Sequence, residues 1–393
     1  MLFNIQFLRL VAAMLVVLYH CATRIPENSS ALQFIFNVGG SLGFAGVDIF
    51  FVISGFIMAH TSSNDAGIGH GFDFARRRLA RIFSGYWPFF VLAVVIFGYF
   101  RPEHFAGVNL LKSFFLWPQS LNLILLEITW TLSFELYFYL LFSLLILFTS
   151  LRFRFSLILF AFVSLLVINL YRHFITHSFS PENIYYMDFW SAFLTSPFLL
   201  EFFAGALVAV WVAKKPGGPA LSWFLIGAGL FLAGGWINEA VYSGLIEQGF
   251  HVVPRVIVYG LPSCMLLIGL VRLEWKAGAA KLEKLTGSIS TSWKFRLRHT
   301  IGFQAPKTFS ALTGGASYAI YLSHVLILTV VWNTGFNQYV ASLPGNMLVL
   351  GYLLLTLFIL LYSVLHYVYL EKPLHRLFKR WIGLGVTSAR RES

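Results

Sequence analysis

The sequence predicts an all-α polytopic membrane protein with about ten transmembrane helices and both termini on the cytoplasmic side. The first reason is composition: of the 393 residues, 58% are hydrophobic and only 11% are charged, whereas a soluble domain carries roughly 25% charged residues. The second reason is that the apolar residues form long runs, and about 20 apolar residues suffice to cross a bilayer as a helix. The third reason is an unequal distribution of Lys and Arg between alternate loops.

Ten apolar segments follow one another along the chain. We predict spans over residues 4–22, 39–60, 82–100, 129–149, 155–171, 191–213, 220–239, 252–273, 310–332 and 346–369. Of the 28 Lys and Arg residues, 22 fall in the loops of one side and five in those of the other, while Arg9 lies inside the first span. The positive-inside rule makes the richer side cytoplasmic. The net charge of +12 is therefore a topology signal, and no nucleic-acid partner is expected.

The organisation along the chain is simple. We expect one transmembrane domain over residues 1–380 and a cytoplasmic tail at 381–393. The domain is interrupted at 274–309 by a basic cytoplasmic loop, with short amphipathic helices as the alternative for this segment. Cys21 and Cys264 give no disulfide framework and no metal-ligand spacing, so no metal site is expected.

The first span, with "RLVAAMLVVLYH", carries a cation and an imidazole. Arg9 and His20 are eleven residues apart, so they share one helix face and stand about 16 Å apart along its axis. Ionisable groups at membrane depth suggest function. The alternative is that Arg9 snorkels to the headgroups and His20 sits at the interface.

The second span, "GGSLGFAGVDIFFVISGFIMAH", contains Asp48. This carboxyl group lies roughly 13 Å from the outer end of the segment, where it needs a partner or a proton. Ser54 and Gly55 favour close helix packing. Asp48 is thus a catalytic candidate, and Ser54 a supporting residue.

The third segment opens with "FARRRLARIFSGYW". If this stretch is helical, Arg77, Arg78 and Arg81 form one basic face with Arg76 beside it. Guanidinium forks suit phosphate groups. The alternative is that the four arginines only anchor the topology. We predict a donor-binding anion site here.

The remaining candidates lie in later spans. "WTLSFELYFY" places Trp130 and Glu135 near the outer face, and Glu201 in "SPFLLEFFAG" is more isolated and interpreted as structural. In "GGASYAIYLSHVLIL", Ser317, Tyr321 and His324 share one helix face. A lone histidine on such a face is more often a packing residue, so His324, Tyr321, Tyr318 and Trp130 are expected to support the site rather than react.

These depths converge on one layout. His20, Asp48, Glu135 and His324 are all expected in the outer half of the membrane, with the arginines at the inner surface. Such a layout is typical of a reaction centre that faces outward and an anion site that faces the cytosol.

The motifs resemble those of the acyltransferase-3 family of membrane proteins, and most closely its branch that O-acetylates bacterial exopolysaccharide. The resemblance rests on "NIQFLRLVAAMLVVLYH", "GGSLGFAGVDIFFVISGFIM", "FARRRLARI", "WTLSFELYFY", "SYAIYLSH" and "YLEKPLHRLFKR", which occur in the family's order. It implies ten helices, an acyl-CoA donor such as acetyl-CoA on the cytoplasmic side, and a sugar hydroxyl as acceptor.

The resemblance also implies roles for particular residues. The family's essential Arg/His pair corresponds to Arg9 and His20, its arginine motif to Arg78 and Arg81, and its acid of the fourth span to Glu135. Family members often have Pro where this sequence has Ser84, which leaves the local geometry open.

The resulting hypothesis is a multi-pass O-acyltransferase of the bacterial inner membrane without a permanently bound cofactor. His20 would take the proton of the acceptor hydroxyl, with its ring oriented by Asp48 or Glu135, while Arg9 orders the donor path or pairs with a buried acid. Direct transfer and an acyl-His20 relay both fit. The acceptor would be a glycan or a lipid-linked saccharide; the sequence leaves the oligomeric state open. A proton-coupled transporter is the main alternative, and a glycan polymerase or flippase is a third.

Overall fold

The computed structural model describes residues 2–22, 39–147, 151–176, 189–244, 246, 253–286, 304–342 and 345–383. Within this part of the chain the fold is entirely helical, as predicted. Nine of the described helices are long and apolar enough to cross a membrane, and the number is ten if one bent pair is counted as a single span.

Twelve helices carry the architecture. They are α1 (Phe3–Ala22), α2 (Gly46–Thr61), α3 (Ile68–Phe100), α4 (Trp130–Ile146), α5 (Leu151–Tyr171), α6 (Phe198–Lys214), α7 (Ala220–Tyr242), α8 (Leu261–Thr286), α9 (Lys307–Gly315), α10 (Ser317–Asn333), α11 (Gly345–His366) and α12 (Lys372–Trp381). Buried aromatic side chains of α2, α4 and α6 form the centre of the largest core cluster.

The closest helix contact joins α2 and α6. A Cβ atom built on Gly55 would lie 1.8 Å from the Phe202 carbonyl oxygen, and one built on Gly205 would lie 2.0 Å from that of Val52. Two glycines facing each other therefore let the two backbones touch, as small residues do between membrane helices. The packing role predicted for Gly55 is confirmed.

Three predicted boundaries are wrong. Helix α3 begins at Ile68 and not at 82, because its first turns are amphipathic and extend beyond the apolar run; at 33 residues it is about 50 Å long, longer than the hydrocarbon core. The eighth span ends later and the ninth begins earlier than predicted, since α8 continues to Thr286 and α9 starts at Lys307. Of the basic segment 274–309, residues 287–303 lie outside the described residues, as do 384–393 of the predicted tail.

The ninth span is broken. Helices α9 and α10 meet at a bend of 49° beside Gly314 and Gly315. A Cβ atom at Gly314 would lie 2.2 Å from the Gln6 carbonyl oxygen, and one at Gly315 would lie 2.4 Å from the Tyr367 hydroxyl. Because these glycines have no side chain, α1 and Tyr367 can pack directly against the bend.

Helix α4 is about half as long as the neighbouring helix α3, so the residues of α4 lie at a different depth from the one predicted. The Gly67 amide at the start of α3 donates to the Ile146 carbonyl at the end of α4 (2.9 Å). Because α4 has 17 residues and α3 has 33, α4 begins about half way along α3. The segment between them folds back over the remaining half of α3, where the Tyr86 hydroxyl donates to the Ser113 carbonyl (2.7 Å) and the Trp87 indole to that of Phe114 (3.2 Å).

Candidate active site

Three of the cavities along the helix bundle contain predicted site residues and share parts of their linings. The first, which we call the basic cavity, has a volume of about 290 Å³ and is lined by Thr61, Asp65, Phe74, Arg77, Arg78, Arg81, His375 and Lys379. The central cavity (about 200 Å³) and the histidine cavity (about 590 Å³) contain the predicted residues Arg9 and His20, respectively. Arg78 and Arg81 line both the basic and the central cavity, and Val47 and Tyr321 line both the central and the histidine cavity. The cavities are therefore neighbours in series.

Helix α3 has a basic face as predicted, but only three of the four predicted arginines belong to it. Arg77, Arg78 and Arg81 line the basic cavity, whereas Arg76 is exposed and lines none of the three cavities. The Arg78 guanidinium donates to the Thr61 hydroxyl (3.0 Å). Arg77 lies 3.7 Å from a carboxylate oxygen of Asp65. The structure therefore separates Arg76 from the three arginines with which it was predicted to act.

Arg9 and Glu135 lie together in the central cavity. The Arg9 guanidinium is 3.5 Å from the Gln6 amide oxygen, and the Tyr139 hydroxyl donates to the Glu135 carboxylate. Ser54 and Tyr318 line the same cavity. Glu135 was expected at the outer face beside His20; that depth is wrong, because α4 begins half way through the bundle and Glu135 lies more than one turn further in.

His20 lies in the histidine cavity, and His324 holds its ring. Nδ1 of His20 is 2.9 Å from the Val16 carbonyl oxygen and 3.3 Å from Nε2 of His324, whose own Nδ1 is 3.1 Å from the Ile320 carbonyl oxygen. A carbonyl oxygen can only accept, so in the neutral rings each Nδ1 carries the hydrogen. Nε2 of His324 then accepts from His20, and the lone pair of His20 resides on Nε2. The contact gives His324 the supporting position that its spacing predicted.

Asp48 binds an arginine and not a histidine. Its carboxylate accepts from Nε and Nη2 of Arg255 at 2.9 and 2.8 Å, and both side chains are at most 3% exposed. The Arg255 guanidinium also packs between the rings of Phe44 and Phe198. Asp48 lines none of the three cavities. The prediction that Asp48 orients His20 is therefore wrong, because both of its carboxylate oxygens accept hydrogen bonds from Arg255, which lies in the segment before α8.

Glu201 belongs to the same buried cluster. Its side chain is 1% exposed, and a Cβ atom at Gly260 would lie 2.8 Å from its Oε1. Glu201 also lines none of the three cavities. Its placement agrees with the structural interpretation.

Two aromatic residues, Trp130 and Tyr321, line the histidine cavity. Trp130, at the start of α4, lines the histidine cavity and packs against Phe51 and Phe198. Tyr321 donates its hydroxyl hydrogen to the Ile128 carbonyl (2.9 Å) and accepts from Thr131 (3.1 Å). Since Tyr321 faces both the central and the histidine cavity, these bonds fix the partition between them.

Comparison with known proteins supports an assignment to a family. A family model described as an acyltransferase domain matches residues 2–368. The chain belongs to the acyltransferase-3 family. The exopolysaccharide production protein ExoZ of Rhizobium meliloti (strain 1021) is 26% identical over 357 residues, which cover 86% of this chain and 90% of that protein. No solved structure matches the chain.

This acyltransferase contains site residues that the sequence did not reveal. Arg255 lines the histidine cavity, and His375 and Lys379 line the basic cavity. Arg255 is one of the five Lys and Arg residues assigned to the outer loops, although it is the fourth residue of the eighth apolar segment, 252–273. His375 and Lys379 are four residues apart in "LHRLFKR", and that spacing on a helix was a usable signal of a shared face. Among the described residues, no group of three or more His, Cys, Asp or Glu is placed to hold a metal ion.

Proposed function

We propose that this multi-pass membrane acyltransferase moves an acyl group from acyl-CoA, bound in the basic cavity, to a hydroxyl of a glycan in the histidine cavity. One observation carries the proposal: the three cavities adjoin in series, with guanidinium groups at one end and the His20–His324 pair at the other. Neither end alone could both hold the donor nucleotide and activate the acceptor.

The basic end fits the nucleotide part of the donor. Arg77, Arg78 and Arg81 line the basic cavity, and guanidinium forks bind phosphate oxygens through paired charge-assisted hydrogen bonds. Arg78 and Arg81 also face the central cavity, which has the smaller volume and holds Arg9. The slender pantetheine arm would run through this cavity toward His20, with the thioester leading.

His20 would be the general base of the transfer. Nε2 takes the proton from the acceptor hydroxyl while the oxygen attacks the thioester carbonyl. The tetrahedral intermediate then breaks its C–S bond, and the departing thiolate takes the proton back from His20, so that the products are free CoA and an ester. His324 keeps Nδ1 of His20 hydrogen-bonded and Nε2 in the basic tautomer.

Arg255 would stabilise the oxyanion of that intermediate. Its Nε and Nη2 are occupied by Asp48, while Nη1 is the remaining nitrogen of a guanidinium that lines the cavity of His20. A buried, fixed cation near developing negative charge lowers the barrier more than a mobile one would. In this scheme Asp48 positions Arg255.

The acceptor is proposed from the cavity lining and from the relative. Aromatic side chains (Tyr19, Phe97, Trp130 and Trp332) alternate with polar ones (Arg101, His104 and Asn333) around the histidine cavity. Ring faces and hydrogen-bonding groups in this mixture suit a saccharide, and the relative ExoZ is named for exopolysaccharide production. We propose a surface glycan or its lipid-linked precursor as acceptor and acetyl as the acyl group.

The proposed orientation follows from charge. In the sequence, 22 of the 28 Lys and Arg residues fall on the predicted side that includes the arginines of α3, so we propose that the basic end faces the cytoplasm of a bacterial inner membrane. With ten spans both termini would lie on that side.

The test uses protein purified in detergent and radiolabelled acetyl-CoA with surface glycan as acceptor. His20→Ala should lower the transfer rate by about 10²–10⁴-fold, the range for loss of a general base, while CoA binding is unchanged. His60→Ala, an exposed histidine that lines none of the cavities, is the matched control. Normal turnover by His20→Ala would eliminate His20 as the base. Mass analysis of surface polysaccharide from cells with and without the protein identifies the acyl group and the acceptor together.

A further inference from the structure

We infer that the C-terminal helix α12 forms the second wall of the donor nucleotide site and that Lys379 binds a phosphate of the donor. The inference rests on the proposed acyl-CoA donor and adds a residue from beyond the segment that the family model matches, which ends at 368. It is argued from where α12 is fixed, which face it turns to the cavity, and the charges there.

Helix α12 is fixed against α3. Nδ1 of His375 lies 3.3 Å from the Ser84 hydroxyl, and the ring of Phe378 packs on that of Trp87 with centroids 5.4 Å apart. Just before α12, a carboxylate oxygen of Glu371 lies 3.9 Å from Nη2 of Arg81. Three contacts along about two turns hold the helix beside the arginines. The Ser84 hydroxyl thus anchors α12 to α3 through His375.

One face of α12 lines the basic cavity. His375 and Lys379 are four residues apart, so they project from the same face, and both line the cavity. Arg376 and Arg380 are exposed and line none of the three cavities. Since His375 is occupied by Ser84, Lys379 is the group of this face that can reach a ligand.

The cavity has more positive charge than its own acids can neutralise. Arg77, Arg78, Arg81 and Lys379 line it, and Asp65 is the one acid among the described lining residues. Asp65 lies beside Arg77, at 3.7 Å, and the described residues provide no ion pair for Lys379. The Glu371 side chain is 3% exposed and lies 3.9 Å from Arg81, but it does not line the basic cavity. Cations held on two opposing walls without matching acids favour a ligand with several anionic groups, and CoA has three phosphate groups.

The experiment measures binding of CoA and of dephospho-CoA to the full-length protein in detergent by titration calorimetry. Lys379→Gln should weaken CoA binding by roughly 10- to 100-fold, as expected for one charge-assisted hydrogen bond. Lys379→Arg should stay close to wild type. Arg376→Gln and Arg380→Gln remove the same charge from the same helix outside the cavity and should bind CoA normally. Equal loss with both nucleotides assigns Lys379 to the pyrophosphate, and a loss confined to CoA assigns it to the 3′-phosphate.

The outcomes separate this inference from the donor proposal, with Arg81→Gln as the benchmark. Failure of the wild-type protein to bind CoA would overturn both. If the wild type binds, Arg81→Gln does not, and Lys379→Gln binds like the wild type, then only the role of α12 is overturned. Equal weakening by Lys379→Gln and the two control variants would also overturn it, because a diffuse basic surface would then explain the effect. Thermal unfolding of each variant verifies that a loss of binding is not a loss of fold.

Discussion

At the scale of single residues, two backbone carbonyls determine which nitrogen of His20 can act as a base. The Val16 and Ile320 carbonyl oxygens each lie within hydrogen-bond range of an Nδ1 atom. Their positions direct both rings into the same tautomer, with His324 accepting from His20. In this pair the imidazole of His324 takes the place that a carboxylate has in hydrolase triads, and Nε2 is the basic nitrogen of His20.

Replacement of His324 should therefore slow the transfer without affecting the donor. In His324→Leu the Nδ1 hydrogen of His20 loses the His324 acceptor and keeps the Val16 carbonyl oxygen, so the ring is held less well. We expect a fall in kcat that is smaller than that of His20→Ala, with unchanged CoA affinity. His324→Gln keeps a hydrogen-bonding oxygen and should recover part of the rate. The measurement is steady-state acetyl transfer together with calorimetric CoA binding; a full rate for His324→Leu would contradict the tautomer argument.

Residue spacing predicted some partners and missed others for a physical reason. Arg9 and His20 share a helix, so their separation followed from helix rise, and they lie in two neighbouring cavities. Asp48 and Arg255 are 207 residues apart in sequence, and no periodicity links them. The carboxylate of Asp48 was correctly expected to need a partner, but only the fold shows that the partner is a guanidinium.

At the scale of helices, the α2–α6 contact should depend on its two glycines. Gly205→Ala would place a methyl group 2.0 Å from the Val52 carbonyl oxygen, so the helices must separate. Overpacking of this kind costs about 1–3 kcal/mol, and we expect a lower thermal unfolding midpoint in detergent. Gly229→Ala, in α7 with nothing within 4 Å of the added Cβ, is the control and should leave the midpoint unchanged or slightly raised. Equal midpoints for the two variants would mean that α2 and α6 can move apart freely.

Helix positions were predictable where the apolar run and the helix coincide. The first, second, sixth and seventh segments match the described helical spans closely. Hydropathy does not predict a helix end where the helix continues into polar sequence, as α3 does before residue 82. It also does not predict a break inside an apolar run, such as the α9–α10 bend. Hydropathy reports transfer into lipid, whereas these ends depend on packing between helices, such as the approach of α1 to Gly314.

At the scale of the whole molecule, the series of cavities offers a route by which the proposed reaction would join two sides of a membrane. If the donor phosphates bind in the basic cavity as proposed, the central cavity lies between them and the His20 imidazole, so the nucleotide would not need to cross the bilayer. About 16 Å of α1 separate Arg9 from His20, and the donor arm would have to cover this distance. Val47 and Tyr321 form the boundary that it would pass.

A bulky residue at that boundary should uncouple donor binding from transfer. Val47 is 7% exposed and lines the central and the histidine cavities, so Val47→Trp would fill the passage with an indole ring. We expect normal CoA affinity, because the basic cavity is unchanged, and a fall in transfer of about 10²-fold, comparable to the effect of misplacing reactants by an ångström. Val95→Trp on α3 introduces the same ring at a side chain that is 62% exposed and should transfer normally. Val47→Leu should give an intermediate rate. If Val47→Trp binds CoA and still transfers acetyl like the control, the thioester reaches His20 by a path that avoids the central cavity, and the proposed order of the three cavities is wrong.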